Sequence, residues 1–123
     1  MQQRTQTSII KAFVNAFRGL MCFFRHERNG RIQMMIGTIA IILGLLLRLS
    51  IRELIAVLLC TGTVLSAEMM NSALEKLCDY SQPYFDVQIK VIKDVAAGAV
   101  LFISIISAIT GALIFLPKIW QLL

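Results

Sequence analysis

The stretch VAAGAVLFISIISAITGALIFL, residues 95–116, has no acidic residue, basic residue or histidine in 22 positions. Wound as a helix it reaches about 33 Å, enough to cross a hydrocarbon core of about 30 Å. Lys93 and Asp94 precede it, and Pro117, Lys118 and Trp120 close it in the manner of an interfacial anchor. A run of this kind predicts a membrane-spanning helix and, with what lies upstream, an all-α integral membrane protein.

Two more spans are expected before it. IQMMIGTIAIILGLLL starts at residue 32 and is ended by Arg48. Its sixteen residues are slightly short, and extension to Ser50 with Arg48 snorkelling gives a span over 32–50. The second runs over 54–74 and carries Glu68, Asn71 and Ser72 towards its far end. HERNGR at 26–31 is expected as a turn broken at Asn29-Gly30, RLSIRE at 48–53 as a short loop, and 75–94 as a polar connection broken at Pro83. Over residues 8–25, Lys11, Asn15, Arg18, Cys22 and Arg25 recur at helical spacing on one face, with Ile9, Ile10, Phe13, Phe17, Leu20, Met21 and Phe24 covering the rest. That pattern predicts an N-terminal amphipathic helix lying in the membrane interface.

Composition agrees. The chain of 123 residues is one domain's worth, and its hydrophobic fraction of 58 % exceeds the usual proportion of about 45–50 %. Mean hydropathy is +0.78. The net charge of +5 does not point to nucleic acid, because the basic residues lie between apolar runs instead of forming a dense patch. They suit anionic headgroups and the setting of topology. Arg4, Lys11, Arg18, Arg25, Arg28, Arg31, Lys76, Lys90 and Lys93 fall on one side of a three-span chain, against Arg48, Arg52 and Lys118 on the other. The N-terminus and the 75–94 connection are therefore expected in the cytoplasm. Cys22, Cys60 and Cys78 form no CxxC pair and are read as reduced, and Cys22 with His26 supplies too few ligands for zinc. The polar start MQQRTQTS gives no expectation of a cleavable signal peptide. Gly62 with Ser66, and Ser107 with Gly111, are small residues four apart, which favours a bundle or an oligomer.

The acidic residues are distributed unevenly. Glu53 alone lies on the external side, whereas Glu27, Glu68, Glu75, Asp79, Asp86 and Asp94 lie at or below the cytoplasmic membrane surface. Glu68, Asn71, Glu75 and Asp79 form one stripe on a helix, and Glu68 sits about 10 Å deeper than Glu75. A carboxylate costs roughly 2.5–3.5 kcal/mol inside a bilayer, so a buried one asks for a role. At its depth Glu68 can meet a lipid headgroup and take a proton from an alcohol. Glu75 and Glu27, near the cytoplasmic boundary, suit Mg²⁺, a hard cation that commonly takes one or two carboxylates plus phosphates. Lys93 and the basic stripe of the first helix can neutralise phosphate charge. Other readings stay open at this point: a lone intramembrane Glu serves equally in a proton relay or a small transporter, Asn71 can simply glue helices together, and Asp79 can be a solvated helix-end charge. Neither a Walker A loop nor a kinase Gly-rich loop is present.

AEMMNSALEKLCD at 67–79, followed by KDVAAGAV at 93–100 and preceded by ERNGRIQ at 27–33, resembles the prokaryotic-type diacylglycerol kinase family, which includes undecaprenol kinases. The resemblance covers about residues 10–117. It implies a membrane kinase that moves the γ-phosphoryl group of ATP to a lipid hydroxyl with Mg²⁺, built as a homotrimer of three-span protomers with active sites between subunits. By position it implies Glu68 as catalytic base, Glu27 and Glu75 as metal and nucleotide ligands, Asn71 with Ser72 as polar residues of the site, and Lys93 and Asp94 at the nucleotide. Lys11 and Arg18 match basic positions of the surface helix that serve ATP. The family often carries Glu-aromatic-His where this chain has Tyr84-Phe85-Asp86. Undecaprenol is slightly favoured as acceptor over diacylglycerol. A transporter or adaptor that kept the fold without the chemistry is the reading from a different class.

Overall fold

The computed structural model describes residues 7–123; Arg4, counted above among the cytoplasmic basic residues, lies outside them. Four helices follow one another: α1 (Thr7–His26), α2 (Arg28–Leu46), α3 (Ile51–Ser81) and α4 (Val87–Leu122), with no strand among the described residues. α2, α3 and α4 are each long and apolar enough to cross a membrane.

α3 is the centre of the chain and packs mainly against α4 and α2. Its buried residues Val57, Val64, Glu68, Ser72 and Cys78 recur at intervals that keep them on one face. α2 meets its neighbours through glycines seven residues apart, Gly30, Gly37 and Gly44, all buried. A Cβ at Gly37 would run into the Thr61 side chain of α3, and one at Gly44 would lie 2.8 Å from Leu49. Gly30 seats the ring of Phe23, which is 6 % exposed and ties α1 back onto α2. Few side chains are buried, and large apolar residues such as Leu101, Phe102, Ile109 and Leu113 stand open along α4. That surface suits lipid or another protein copy, and does not suit water.

Several boundaries differ from those expected. The turn at 26–31 shrinks to one extended residue, Glu27 (φ −103°, ψ 110°), because Gly30 continues the helix while receiving Phe23. The helix of the first expected span does not reach Ser50. α2 stops at Leu46 through a Schellman arrangement, in which Leu49 N–H donates to Gly44 O at 2.9 Å and Arg48 N–H to Leu45 O at 3.2 Å. Arg48 accordingly takes the left-handed conformation (φ 57°) that glycine usually fills. Ser50 then starts α3 with a capping box, its Oγ accepting from Glu53 N–H and Glu53 Oε2 from Ser50 N–H. The loop expected over 48–53 is therefore shorter.

The polar connection over 75–94 is largely helical. α3 runs on to Ser81 and α4 begins at Val87, leaving only residues 82–86 outside helix. Asp86 initiates α4, with Oδ1 accepting from the N–H groups of Gln88 at 2.8 Å and Ile89 at 3.1 Å. At the other end Pro117 does not terminate the helix that carries the third expected span. It lies inside α4, where it removes only the bond to the carbonyl four residues back, and the helix continues to Leu122. α3 has 31 residues and α4 has 36, about 46 and 54 Å, so each exceeds a bilayer core of about 30 Å.

Candidate functional site

The continuity of α3 positions the polar stripe. An unbroken helix through 68–81 sets Glu68, Asn71, Ser72 and Glu75 at fixed rotation and depth. Glu68 is 8 % exposed and Ser72 9 % exposed, whereas Glu75, one to two turns nearer the end of the helix, is open. Asn71 Nδ2 donates to Glu75 Oε1 at 3.4 Å, and Asn71 Oδ1 is buried with no hydrogen-bond partner. An acceptor oxygen left unpaired among carboxylates is a costly arrangement unless a donor or cation completes it.

Glu27 comes from the junction of α1 and α2. Its side chain makes no cap hydrogen bond to α2, so its carboxylate is free to face α3, where Lys76 Nζ lies 3.7 Å from Oε1. Glu27 and Glu75 are both within electrostatic reach of Glu68. The fold thus gathers three carboxylates that are separated by 41 and 7 residues in sequence. Among the described residues no three His, Cys, Asp or Glu side chains close into a ready-made metal cage. Glu27, Glu75 and the Asn71 amide oxygen are hard donors, of the kind a small divalent cation accepts alongside phosphate oxygens.

The remaining expected residues divide. Lys93, near the start of α4, is ion-paired with Asp79 of α3 and lies within electrostatic reach of Glu75. Asp94 instead pairs along its own helix with Lys90 at 2.6 Å. Lys11 and Arg18 lie exposed on α1 and join no ion pair among the described residues. Within one chain Glu27 and Glu75 lie within electrostatic reach of Glu68, and Lys93 within reach of Glu75, with Asn71 and Ser72 on the same stretch of α3; Asp94 is engaged by Lys90, and Lys11 and Arg18 join no ion pair among the described residues. Two partners were not anticipated, Lys76 for Glu27 and Asp79 for Lys93. Asp79 did sit on the stripe, but the approach of α4 is invisible in the spacing of α3 alone. The Tyr84-Phe85-Asp86 segment is also clarified: Tyr84 and Phe85 are exposed, and Asp86 is engaged as the cap of α4.

With this geometry in view, the comparisons are specific. A family model described as prokaryotic diacylglycerol kinase matches residues 14–115. The chain is 39 % identical over 109 residues to a Bacillus subtilis protein named undecaprenol kinase, covering 89 % of each. It is 32 % identical over 118 residues to a Synechocystis protein named diacylglycerol kinase, covering 94 % of this chain and 67 % of that one.

Proposed function

Because the chain belongs to the prokaryotic diacylglycerol kinase family and is therefore a membrane lipid kinase, we propose that it transfers the γ-phosphoryl group of ATP to the hydroxyl of undecaprenol. The observation that carries the reading is the buried Glu68 beneath an exposed Glu75 on one helical stripe. Glu68 accepts the proton of the lipid hydroxyl, the hydroxyl oxygen attacks the γ-phosphorus, the bond to the bridging oxygen breaks, and ADP leaves. Glu27 and Glu75 would hold Mg²⁺, with the unpaired Asn71 Oδ1 beside them; bound there, the ion offsets phosphate charge. Lys93 offers a fixed cation near Glu75 for the nucleotide phosphates. Ser72 lines the same face as Glu68. Asp94, Lys11 and Arg18 are proposed to reach the nucleotide from elsewhere in an assembly.

That assembly is a homotrimer in this reading, with each protomer a single membrane-embedded domain. Gly62, Gly98 and Gly111 support it. Glycine inside a helix costs about 1 kcal/mol relative to alanine, yet a Cβ at any of the three would meet nothing within 4 Å. Close approach by a helix of another copy gives these glycines a reason. The exposed apolar face of α4 points the same way. α1 lies in the interface as an amphipathic helix, its exposed Ile9, Ile10, Phe13 and Phe17 towards lipid. The asymmetry of basic residues supports a bacterial inner-membrane orientation with the N-terminus and the 82–86 turn in the cytoplasm.

Undecaprenol is preferred because the relative bearing that name has the higher identity; the Synechocystis relative supports diacylglycerol as a second acceptor. The test is phosphate transfer from labelled ATP in mixed micelles, with each alcohol offered at equal surface concentration. Faster labelling of undecaprenol is the expected result. Preference for diacylglycerol overturns the acceptor, and transfer to neither overturns the reaction.

A further inference from the structure

Lys93 has a proposed role at the nucleotide, whereas Asp79, its ion-pair partner, has none so far. The pair crosses from α3 to α4 over 14 residues, directly behind the short 82–86 turn. A cavity of about 320 Å³ opens there, lined by Asp79, Gln82, Tyr84, Asp86, Lys90 and Lys93 among others. Of its two lysines, Lys90 is held by Asp94 on the same helix at 2.6 Å, while Lys93 is held across the helix pair. Asp79 lies four residues beyond Glu75 on the same stripe, so it draws the Lys93 ammonium towards the face that carries Glu75.

We propose that Asp79 is a positioning residue, holding the Lys93 ammonium beside Glu75 so that a fixed cation faces the nucleotide phosphates. The inference rests on the kinase reading above. A lysine is a point charge on a flexible four-carbon stem, and it contributes to phosphate binding only in so far as it is held. The Asp79 side chain is 67 % exposed and that of Lys93 35 %, so the lysine stem is the more sheltered part, and Asp79 holds its ammonium at an open site. Asp86 cannot substitute, because its carboxylate caps α4. The opposite arrangement, with Asp79 competing against phosphate for Lys93, predicts the opposite sign and is separated by experiment.

Asp79→Asn and Asp79→Glu are compared with the wild-type full chain in detergent micelles. Dissociation of a fluorescent ATP analogue with Mg²⁺ is measured first, and ATP KM and kcat for lipid phosphorylation second. Asp79→Asn is expected to raise the dissociation constant and KM about two- to fivefold, the range of an exposed ion pair, with kcat unchanged. Asp79→Glu returns both to within about twofold, because a carboxylate one methylene longer still reaches the lysine. Asp79→Ser serves as a second neutral variant should the Asn form not fold, and the same rise is expected. A lower dissociation constant in either neutral variant overturns the proposal, as does a fall in kcat with nucleotide affinity unchanged, which marks a purely structural tie. A wild type that binds the analogue but phosphorylates no lipid overturns the reaction while leaving the Asp79 comparison readable. A wild type that binds no nucleotide overturns both.

Discussion

Replacing Glu68 by Gln should move activity and stability in opposite directions. Gln keeps the shape of the side chain and removes its charge and its capacity to accept a proton. Loss of a general base lowers kcat by about 10²–10⁴, equivalent to roughly 3–5 kcal/mol in the barrier. The stability term comes from the carboxylates around it. Glu68 is buried at 8 % exposure, with Glu27 and Glu75 in electrostatic reach. Glu75 lies seven residues away on α3, about 10 Å along the axis, where two unit charges repel by about 1.6 kcal/mol at an effective dielectric of about 20. Glu75 is exposed and water screens part of this, leaving a gain of about 1 kcal/mol. Paired assays are needed: lipid phosphorylation in mixed micelles, and thermal unfolding of the same preparations followed by circular dichroism. An active Glu68→Gln enzyme refutes the base assignment. An inactive variant that is also markedly less stable refutes the argument that this carboxylate is kept for chemistry at a cost to the fold.

Other substitutions probe separate parts of the argument. Glu75→Gln preserves a partner for Asn71 Nδ2 but removes a proposed hard ligand, and should raise the Mg²⁺ concentration for half-maximal activity about tenfold; an unchanged metal titration counts against it. Gly37→Ala drives a Cβ into Thr61, whose Oγ1 is committed to Val57 O at 2.9 Å, and should destabilise the α2–α3 contact by about 1–3 kcal/mol in thermal unfolding. Asp86→Ala removes both cap bonds of α4 at a cost of about 1 kcal/mol, visible as faster hydrogen exchange at the Gln88 and Ile89 amides with no change in ATP KM.

The number of helices and their order were legible in the sequence, because three long apolar runs and one basic-striped segment admit few other arrangements. Their ends were not. Asn29-Gly30 reads as a breaker, but the missing Cβ of Gly30 serves the Phe23 ring and the helix passes through. The polar residues 75–81 and 87–94 look like a loop by hydropathy, yet helix continues wherever caps allow, and Asp86 is such a cap. For the site, the stripe from Glu68 to Glu75 follows from helical spacing alone. The arrival of Glu27 depends on a one-residue junction, and the pairing of Lys93 with Asp79 on how two helices meet across a turn. Neither has a local signature. Asp94, adjacent to Lys93 in sequence, faces a different partner because neighbouring positions on a helix point about 100° apart.

The uninterrupted course of α3 has a last consequence. Glu68 and Glu75 are graduations on one rigid rule, held upright in the bilayer by its neighbours on either side. Their difference in height cannot be adjusted to suit a guest. With Glu68 as the proposed base, a lipid alcohol would be sorted by where its hydroxyl floats before it is sorted by the shape of its tail. In this reading, thinning or thickening the surrounding membrane retunes which alcohol comes level with Glu68, without any change in the protein.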